Sequence, residues 1–421
     1  MKHQLSISLG ALLIGQTASA GVLPDLGVRG QVSAGTAFNP DISVILDGSY
    51  YRGREAWSEA VEHIGGFINP HDHDDHAHDD LAPGFNLNHA ELVFSASVDP
   101  YFDATMNLGI HEYGIEIEEA YGVTRNLPAG LQLKMGKFFS GIGYLISQHA
   151  HDWQFTDMAL PYFLIFGDHG LNEKGLQLTW TPATDNYLVF GVEALQGEND
   201  GMANYEGKVP YARGKGSSSM SGPRLFTGFA KYAPDLGFDH ALQAGLFVGH
   251  ARQHQELTSQ LAEEGTTWFA GTDWVYKYDP GGHFGHRSLT LQAEYIYRVR
   301  ELEVVGTRAG LDSRLGEQRT DTQDGFYVQG VYGIAPRWLA GLRYEMAGIT
   351  NKRERGDRWQ SWNSSERVSA NLTWLPTEFS KLRLQYSQSQ LADEDHAGTN
   401  DFHQVFLQYQ LSLGVHGAHN F

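Results

Sequence analysis

The feature that most constrains the fold is an alternation of apolar and polar residues that begins at Leu87 and continues to Phe138. Within it every second residue is apolar, and the residues between are mostly polar. Turn signals near Pro100, Gly114 and Gly130 interrupt the alternation, which then restarts. Because successive side chains of a β-strand point to opposite faces of its sheet, the stretch predicts four antiparallel strands in a meander.

The length of the chain decides what such strands can build. A soluble sheet buries its apolar face in a core, and 421 residues of such strands would normally divide into several domains joined by linkers. No linker is visible in the sequence. A closed barrel with its apolar face toward lipid and its polar face toward a water-filled lumen satisfies every backbone group without a soluble core. The sequence therefore predicts an all-β fold, a single transmembrane antiparallel up-and-down β-barrel.

Prolines indicate where the turns lie in the rest of the chain. Seven of them stand in short turn contexts with an alternating strand on each side, and the first two are close together while the others recur at wider intervals. They are Pro100, Pro128, Pro182, Pro234, Pro280, Pro336 and Pro376. Since proline fixes turn geometry and is excluded from central strands, these turns predict about 16 strands with short periplasmic turns and long extracellular loops. Residues 27–37 either add a strand or lie in an N-terminal arm.

The two ends of the chain predict export to an outer membrane. Residues 1–20 have a basic start, an apolar run and a small-residue end at Ala20, which is the pattern of a secretory signal peptide. A short N-terminal arm at 21–40 and a barrel at 41–421 follow. The last strand ends on an aromatic, Phe421, and resembles the C-terminal signal by which the outer-membrane barrel assembly machinery recognises its substrates. We therefore expect the outer membrane of a Gram-negative bacterium.

The first outer loop, residues 52–86, contains a tract of four histidines and five aspartates within ten residues. Imidazole and carboxylate groups are the ligands that zinc and similar borderline cations prefer, and an extended chain places residues two apart on one side. The tract predicts loose metal capture, with a solvated acidic loop as the alternative. The candidate metal ligands are His71, His73, His76, His78, Asp72, Asp74, Asp75, Asp79 and Asp80.

A second outer loop, residues 139–173, is long and carries an apolar run at 159–166. An apolar run in an external loop favours folding away from water, either into the lumen, which it would narrow, or onto the barrel rim. Together with inward-facing strand positions, the loop supplies the candidate pore and constriction residues. These are His149, His151, Asp152, Asp168, His169, Glu91, Asp103, Glu116, Glu118 and Lys134.

One position conflicts with a straight strand. Glu119 has the same parity as Ile115 and Ile117, so a regular strand would point its carboxylate toward lipid at a cost of up to a few kcal/mol. A β-bulge at Glu118 and Glu119 would turn both side chains inward and reverse the parity that follows.

Several segments resemble known outer-membrane proteins. The strand at 115–121 and the strand at 133–138 resemble the phosphate-selective porin O/P group of Gram-negative porins. The segments at 39–48 and 147–153 are more similar to proteins labelled zinc-regulated outer-membrane receptors. The resemblance implies a porin-type barrel.

The balance of acidic and basic residues bears on which solutes the predicted barrel would transport. The chain has 30 basic and 50 acidic residues, whereas a phosphate porin should show a lysine-rich ladder. We therefore expect a porin for passive solute uptake that favours divalent metal cations such as zinc. A general or sugar/anion-selective porin, or a zinc-responsive receptor or adhesin, are the alternatives.

No catalytic motif is present in the sequence, so an enzyme is not expected. No cofactor is expected to be required, and zinc would be bound only as a transported solute. The expected partners are outer-membrane lipid and small ions or solutes, with assembly as a homotrimer by analogy with other porins and no nucleic acid.

Overall fold

A computed structural model of the chain describes residues 40–62, 64–67, 81–111, 114–393 and 398–414. Sixteen long strands form one closed antiparallel barrel, which confirms the predicted fold class. We label them β1 to β16 in chain order. Their bounds are Asp41–Arg52, Gly84–Ser97, Phe102–His111, Gly114–Thr124, Leu131–Phe139, Asn172–Trp180, Tyr187–Leu195, Leu225–Ala233, His240–Leu257, Leu261–Tyr278, Leu289–Thr307, Gln318–Ala335, Trp338–Arg355, Ser365–Thr377, Ser380–Ala392 and Thr399–Gly414.

The barrel closes between its first and last strands. Each strand pairs with its neighbours in the chain, and Asp47 of β1 lies opposite His89 of β2 on one side and Gln410 of β16 on the other. Two short strands, Arg213–Gly214 and Arg358–Ser361, extend the sheet. The helical pieces are α-helices Trp57–Glu62, Leu160–Phe166 and Asp200–Ala203 and 3-10 turns Pro128–Gly130, Ala150–Asp152, His283–Gly285 and Asp312–Arg314. No helix within the described ranges is long and apolar enough to cross a membrane.

The barrel is polar inside and apolar outside. Along β6, Gln177 and Thr179 are buried, whereas Leu176, Leu178 and Trp180 between them are exposed. The same alternation recurs on the later strands, where the outward side chains include Val192, Leu246, Val248, Trp268, Trp274, Leu342, Val368, Leu384, Leu407 and Leu411. An apolar outer band around a polar lumen is the arrangement that lipid requires of a closed sheet.

Seven connections at one end of the barrel and eight at the other join the strands, and the prolines lie at or beside the seven, as predicted. Two of the eight are short: β3 ends at His111 and β4 begins at Gly114, and β9 ends at Leu257 and β10 begins at Leu261. The later strands are longer than the alternation indicated, because residues 251–257, 300–307 and 349–355 continue the ladder where loops were predicted. The outward side chains of these ends are polar, as at Glu301 and Glu303, and buried ions hold part of the inward face. Arg319, for example, pairs with Glu256, Glu263 and Asp321. Away from lipid a strand needs no apolar face, so the hydrophobic period ends before the strand does.

The predicted bulge in β4 is confirmed. Asn107 of β3 pairs with Glu119 and the next residue pairs with Ile117, which leaves Glu118 as the extra residue. Ile117 is exposed on the outer face, whereas Glu119 and Tyr121 are buried inside. The bulge therefore turns two adjacent carboxylates into the lumen.

Several predicted segments lie outside the described residues. They are the signal peptide at 1–20, most of the N-terminal arm, the histidine and aspartate tract at 71–80, and the terminal Phe421.

Candidate functional site

Residues 140–171, which we call the lumen loop, lie inside the barrel. The helix Leu160–Phe166 within it is completely buried. Its Tyr162 ring contacts Tyr327 of β12, and its Phe166 ring contacts Phe269 of β10 edge-on at 5.9 Å. These contacts explain the apolar run, because an external loop gains free energy by burying such side chains against the inner wall.

Carboxylates of the barrel wall accept hydrogen bonds from the backbone of the lumen loop. Glu294 of β11 accepts from the amides of Tyr144 and Leu145, at 3.0 and 2.8 Å. Glu345 of β13 accepts from the Leu160 amide at 2.8 Å. A buried loop must satisfy its backbone groups, and these inward carboxylates replace the water that the loop has left.

Basic side chains of the same wall bind the carbonyl groups of the lumen loop. They come from β8, β11, β13, β14 and β15, and all are buried. The pairs are Lys231 with Gly143 O at 2.6 Å, Arg298 with Ile165 O at 3.2 Å, Arg343 with Asp157 O at 2.8 Å, Arg367 with Met158 O at 2.8 Å, and Arg383 with Trp153 O at 3.0 Å. The loop therefore covers these cationic groups.

Asp157 of the lumen loop lies between two of these arginines. Its carboxylate is 2.7 Å from Arg343 Nη2 and 2.8 Å from Arg367 Nη1, and Gln385 also donates to it. Burial alone would raise the pKa of Asp157, but the two guanidinium groups outweigh it and hold that pKa below its usual value. We call Asp157, Arg343, Glu345 and Arg367 the arginine clamp.

Histidines attach a second part of the lumen loop, residues 149–151, to β2 and β4. The short turn Ala150–Asp152 presents two imidazoles whose rings stack at 5.5 Å. His151 Nδ1 lies 2.9 Å from Glu91 Oε1, and His149 Nε2 lies 2.8 Å from Glu119 Oε2. His89 of β2 approaches the same Glu91 oxygen at 2.9 Å.

The β4 bulge adds a third carboxylate to this group. His149 Nδ1 lies 3.4 Å from Glu118 Oε2 and 3.7 Å from Glu91 Oε2. Asn107 Nδ2 donates to both of those carboxylates, at 3.0 Å and 3.2 Å. We call His89, Glu91, Glu118, Glu119, His149 and His151 the histidine cluster.

Electrostatics favour charge on the two loop imidazoles. Burial alone would lower the pKa of His149, but Glu91, Glu118 and Glu119 outweigh it and hold the pKa well above its usual value. For His151, burial is likewise outweighed by Glu91 and Asp152, so its pKa is also raised. With protons bound, imidazolium and carboxylate pairs join the loop to the wall.

The same donors can hold a metal ion. Two sets of three ligand atoms each lie within 4.8 Å of one another: His89, Glu91 and His151, and Glu91, Glu118 and His149. Glu91 is common to both sets. Histidine nitrogen with carboxylate oxygen is a donor set typical of zinc and similar borderline divalent cations.

The structure brings together four of the predicted pore residues, Glu91, Glu118, His149 and His151. Asp152 lies at the edge of the cluster, 3.7 Å from His151 Nε2. The remaining five predicted pore residues lie elsewhere. Asp168 and His169 are 3.7 Å apart near the end of the loop, Asp103 bonds Ser97 near a turn, Glu116 pairs with Lys137 at 3.0 Å, and Lys134 lies over the Tyr121 ring.

Sequence reasoning did not place His89, Asn107 or the wall arginines in the site. His89 could have been found, since it is two residues from Glu91 on the same face of β2. The strand alternation predicts that Asn107, Arg298, Arg367 and Arg383 face inward, but their contacts could not be predicted because they depend on the loop.

The chain is similar in sequence to a known protein. No model of a known protein family matches it. An uncharacterized protein of Aquifex aeolicus (strain VF5) is 35% identical over 399 residues, which cover 91% of this chain and 80% of that protein.

Solved outer-membrane proteins share the fold. The outer membrane channel DcaP of Acinetobacter baumannii has a TM-score of 0.53 at 13% identity, covering 89% of this chain and 97% of its own. The anion-selective porin from Comamonas acidovorans has a TM-score of 0.51 at 8% identity, and OmpT of Vibrio cholerae in its trimer form has 0.51 at 10%. Both cover 89% of this chain and 99% of their own. The chain therefore belongs to the same family as the Aquifex aeolicus protein and has the fold of outer-membrane channel barrels.

Proposed function

We propose that the protein is an outer-membrane channel through which small polar solutes diffuse passively, with cations preferred over anions. The closed barrel, its polar inner face and its likeness in fold to outer-membrane channels support this role. The proposed role involves no chemical conversion of the solute. The resemblance to phosphate-selective porins and zinc-regulated receptors stays a prediction from the sequence.

One observation carries the preference for cations. The lumen loop covers wall side chains of both signs, including the carboxylates of Glu294 and Glu345, but it leaves the histidine cluster with its three carboxylates partly accessible. Arg298, Arg343, Arg367 and Arg383 are buried against loop carbonyl groups. An anion path needs cationic groups that face the solute. Glu118 of the cluster, by contrast, keeps 19% of its side chain exposed.

The lumen loop is proposed to form the constriction of this path. It is bonded to the arginine clamp on one side and to the histidine cluster on the other. A loop fixed on both sides sets a constant minimum width, so the channel should admit only small hydrated solutes. The width itself should be set by the loop and not by the number of strands.

Location and assembly follow as part of the proposal. We place the barrel in the outer membrane of a Gram-negative bacterium, exported by the signal peptide at 1–20, with the loop side outward and assembly as a homotrimer. OmpT of Vibrio cholerae, which shares the fold, is known in a trimer form. A tag inserted at Asp75 should react on intact cells, whereas one at Ala183 should react only after permeabilisation. The reverse pattern would contradict the orientation.

The function is tested in planar bilayers. The purified, refolded protein should give steady single-channel currents, and the reversal potential in a KCl gradient should have the sign of a cation-selective pore. Anion selectivity would instead support the sugar/anion alternative. A folded barrel without ion current would support a receptor or adhesin.

A further inference from the structure

We infer that the histidine cluster is a binding site for one divalent transition-metal ion of the zinc type, formed where the lumen loop meets the barrel wall. The inference deepens the proposed function, because it names the class of cation that the path would retain. It concerns residues of the barrel interior and is independent of the histidine and aspartate tract in the first outer loop.

The donor atoms are already close to the spacing that a metal requires. Zinc bonds to nitrogen and oxygen are about 2.0–2.2 Å long, so ligand atoms of a tetrahedral site are about 3.4 Å apart. Glu91 Oε1 lies 2.9 Å from both His89 Nε2 and His151 Nδ1. His149 Nδ1 and Glu118 Oε2 are 3.4 Å apart. The two 2.9 Å contacts would have to open by about 0.5 Å to reach the tetrahedral spacing, whereas the 3.4 Å contact already has it.

The chemistry of the donors selects the class of ion. The sets combine imidazole nitrogen with carboxylate oxygen, and the chain has no cysteine. Calcium and magnesium favour six or more oxygen ligands, whereas zinc and its neighbours accept three protein ligands and leave a position for water. An open position suits an ion that enters and leaves through a water-filled lumen.

Surrounding groups hold the ligands in place. Asn107 Nδ2 donates to Glu91 and Glu118 and fixes both carboxylates, in the way that outer groups commonly orient metal ligands. The edge of the Phe139 ring packs against His149 at 4.9 Å. Three of the ligands lie on β2 and β4, so only the two loop imidazoles must adjust.

His89 completes the first donor set. Its Nε2 atom is buried and pairs with Glu91 Oε1 at 2.9 Å. A metal ion bound between His89, Glu91 and His151 would give this nitrogen a ligand role.

The two donor sets share Glu91, so they are alternative positions for one ion. An ion bound by His89 and His151 could pass to His149 and Glu118 by exchanging ligands while the Glu91 carboxylate stays bound. Occupation of both sets at once would place two divalent charges on one shared carboxylate, which electrostatic repulsion opposes.

The test measures zinc binding to the full-length refolded protein, with residues 71–80 replaced by glycine and serine so that the outer tract cannot contribute. Competition with a chromophoric chelator should give one zinc ion per chain. Cobalt added in its place should produce the visible absorption of a low-coordinate nitrogen and oxygen site.

Substitutions within the cluster should weaken this binding. Glu91→Gln, which changes the carboxylate common to both sets, and the double substitution His149→Asn with His151→Asn, which removes an imidazole from each set, should each reduce zinc affinity at least about tenfold and remove the cobalt absorption. The matched control is His169→Asn, in the same loop but outside the cluster with 54% of its side chain exposed, which should bind zinc normally. Circular dichroism and resistance to unfolding in detergent check that each variant is folded.

The outcomes separate this inference from the proposed function. Unchanged zinc affinity in the folded Glu91→Gln protein and in the folded protein with both His149→Asn and His151→Asn, or no zinc binding by the parent, would overturn the metal site and leave a cluster that only attaches the loop. That result would not affect cation selectivity measured in KCl without zinc. Stoichiometric zinc binding by a barrel that carries no current would support the site and contradict the channel.

Discussion

The two sides of the lumen loop are attached by different chemistry. The arginine clamp uses guanidinium groups, which stay charged at any pH a protein meets, and it binds backbone carbonyls as well as carboxylates. The histidine cluster uses imidazoles, which can gain or lose a proton or bind a metal. The attachment at the arginine clamp is therefore permanent, whereas the attachment at the histidine cluster depends on protonation or on a bound metal.

This difference indicates where function can reside in the constriction. A permanently charged, fully buried contact fixes the position of the loop but cannot respond to a solute. Glu345 and Arg367 are both completely buried. The histidine cluster is partly exposed, with 19% of the His149 side chain accessible, so an ion in the lumen can reach it.

The largest effect is expected from breaking the arginine clamp. Arg367→Met removes one of the two arginines that pair with Glu345 and Asp157, and leaves Arg343 alone with two buried carboxylates. Loss of one member of a buried ion pair costs about 3–5 kcal/mol, so the free energy of unfolding should fall by that amount. Freed on this side, the loop should obstruct the lumen less, and single-channel conductance should rise.

The control for that experiment is Arg358→Met. Arg358 pairs with Glu317, but 76% of its side chain is exposed. Its substitution should change stability by no more than about 0.5 kcal/mol and leave conductance unaltered. Equal behaviour of the two variants would show that apolar packing alone positions the loop.

A smaller loss is expected from Glu193→Gln. The Glu193 carboxylate accepts hydrogen bonds from the Gly141 amide at 2.8 Å and Gln177 Nε2 at 2.7 Å, and also from the Ser140 and Thr227 hydroxyls. The NH2 group of a glutamine would replace one acceptor oxygen, so one of these donors would lose its hydrogen bond. This loss should lower the free energy of unfolding by about 1–3 kcal/mol.

Denaturant unfolding would measure this change. Glu198→Gln is the matched control, because Glu198 is half exposed and pairs with Lys174 at the surface. A loss in the control as large as in Glu193→Gln would mean that carboxylate charge, and not the inward hydrogen bonds, matters.

A local effect is expected from His149→Asn. Removing one imidazole should lower the free energy of unfolding by only about 1 kcal/mol, since the arginine clamp still holds the loop. Hydrogen exchange should quicken at the Asp152 and Trp153 amides and stay unchanged at Leu160 and Phe163. Faster exchange at all four positions would mean that the two attachments are not independent.

The smallest effect is expected from mild acid at the arginine clamp. The folded pKa of Asp157 lies below its usual value because Arg367 and Arg343 outweigh burial. Its contribution to stability is therefore complete above the ordinary aspartate pKa of about 3.9 and is lost only as pH falls through the lower folded pKa. Hydrogen exchange at the Leu160 amide, corrected for its intrinsic rate, should show constant protection from pH 7 to pH 5. A loss of protection in that range would contradict the assignment.

The barrel could be predicted from the sequence because lipid imposes a regular pattern on every spanning strand. Alternation at Leu176 and Leu178 and turns at the prolines were sufficient, and the misplaced Glu119 even located the bulge. Strand ends such as 349–355 could not be found, since polar residues there face water and ions on both sides.

The site was predictable only in part for a related reason. His149 and His151 were recognised as chemically capable, but contacts such as Arg383 with Trp153 O join residues 230 positions apart. The local sequence of neither segment predicts such a contact, because the contact forms only once the loop has folded into the lumen.

The position of the lumen loop in the chain also bears on how the barrel is assembled. Apart from the histidine cluster on β2 and β4, its partners lie mostly on strands that follow it in sequence. Examples are Lys231, Glu294, Glu345 and Arg383, and Thr156 reaches Gln408 on the last strand. The strands after the lumen loop can therefore join the sheet around it while it is already present. The inward side chains of these strands then form hydrogen bonds with backbone groups of the loop. The pairing between β1 and β16 would then form last, and it would close the barrel around the lumen loop.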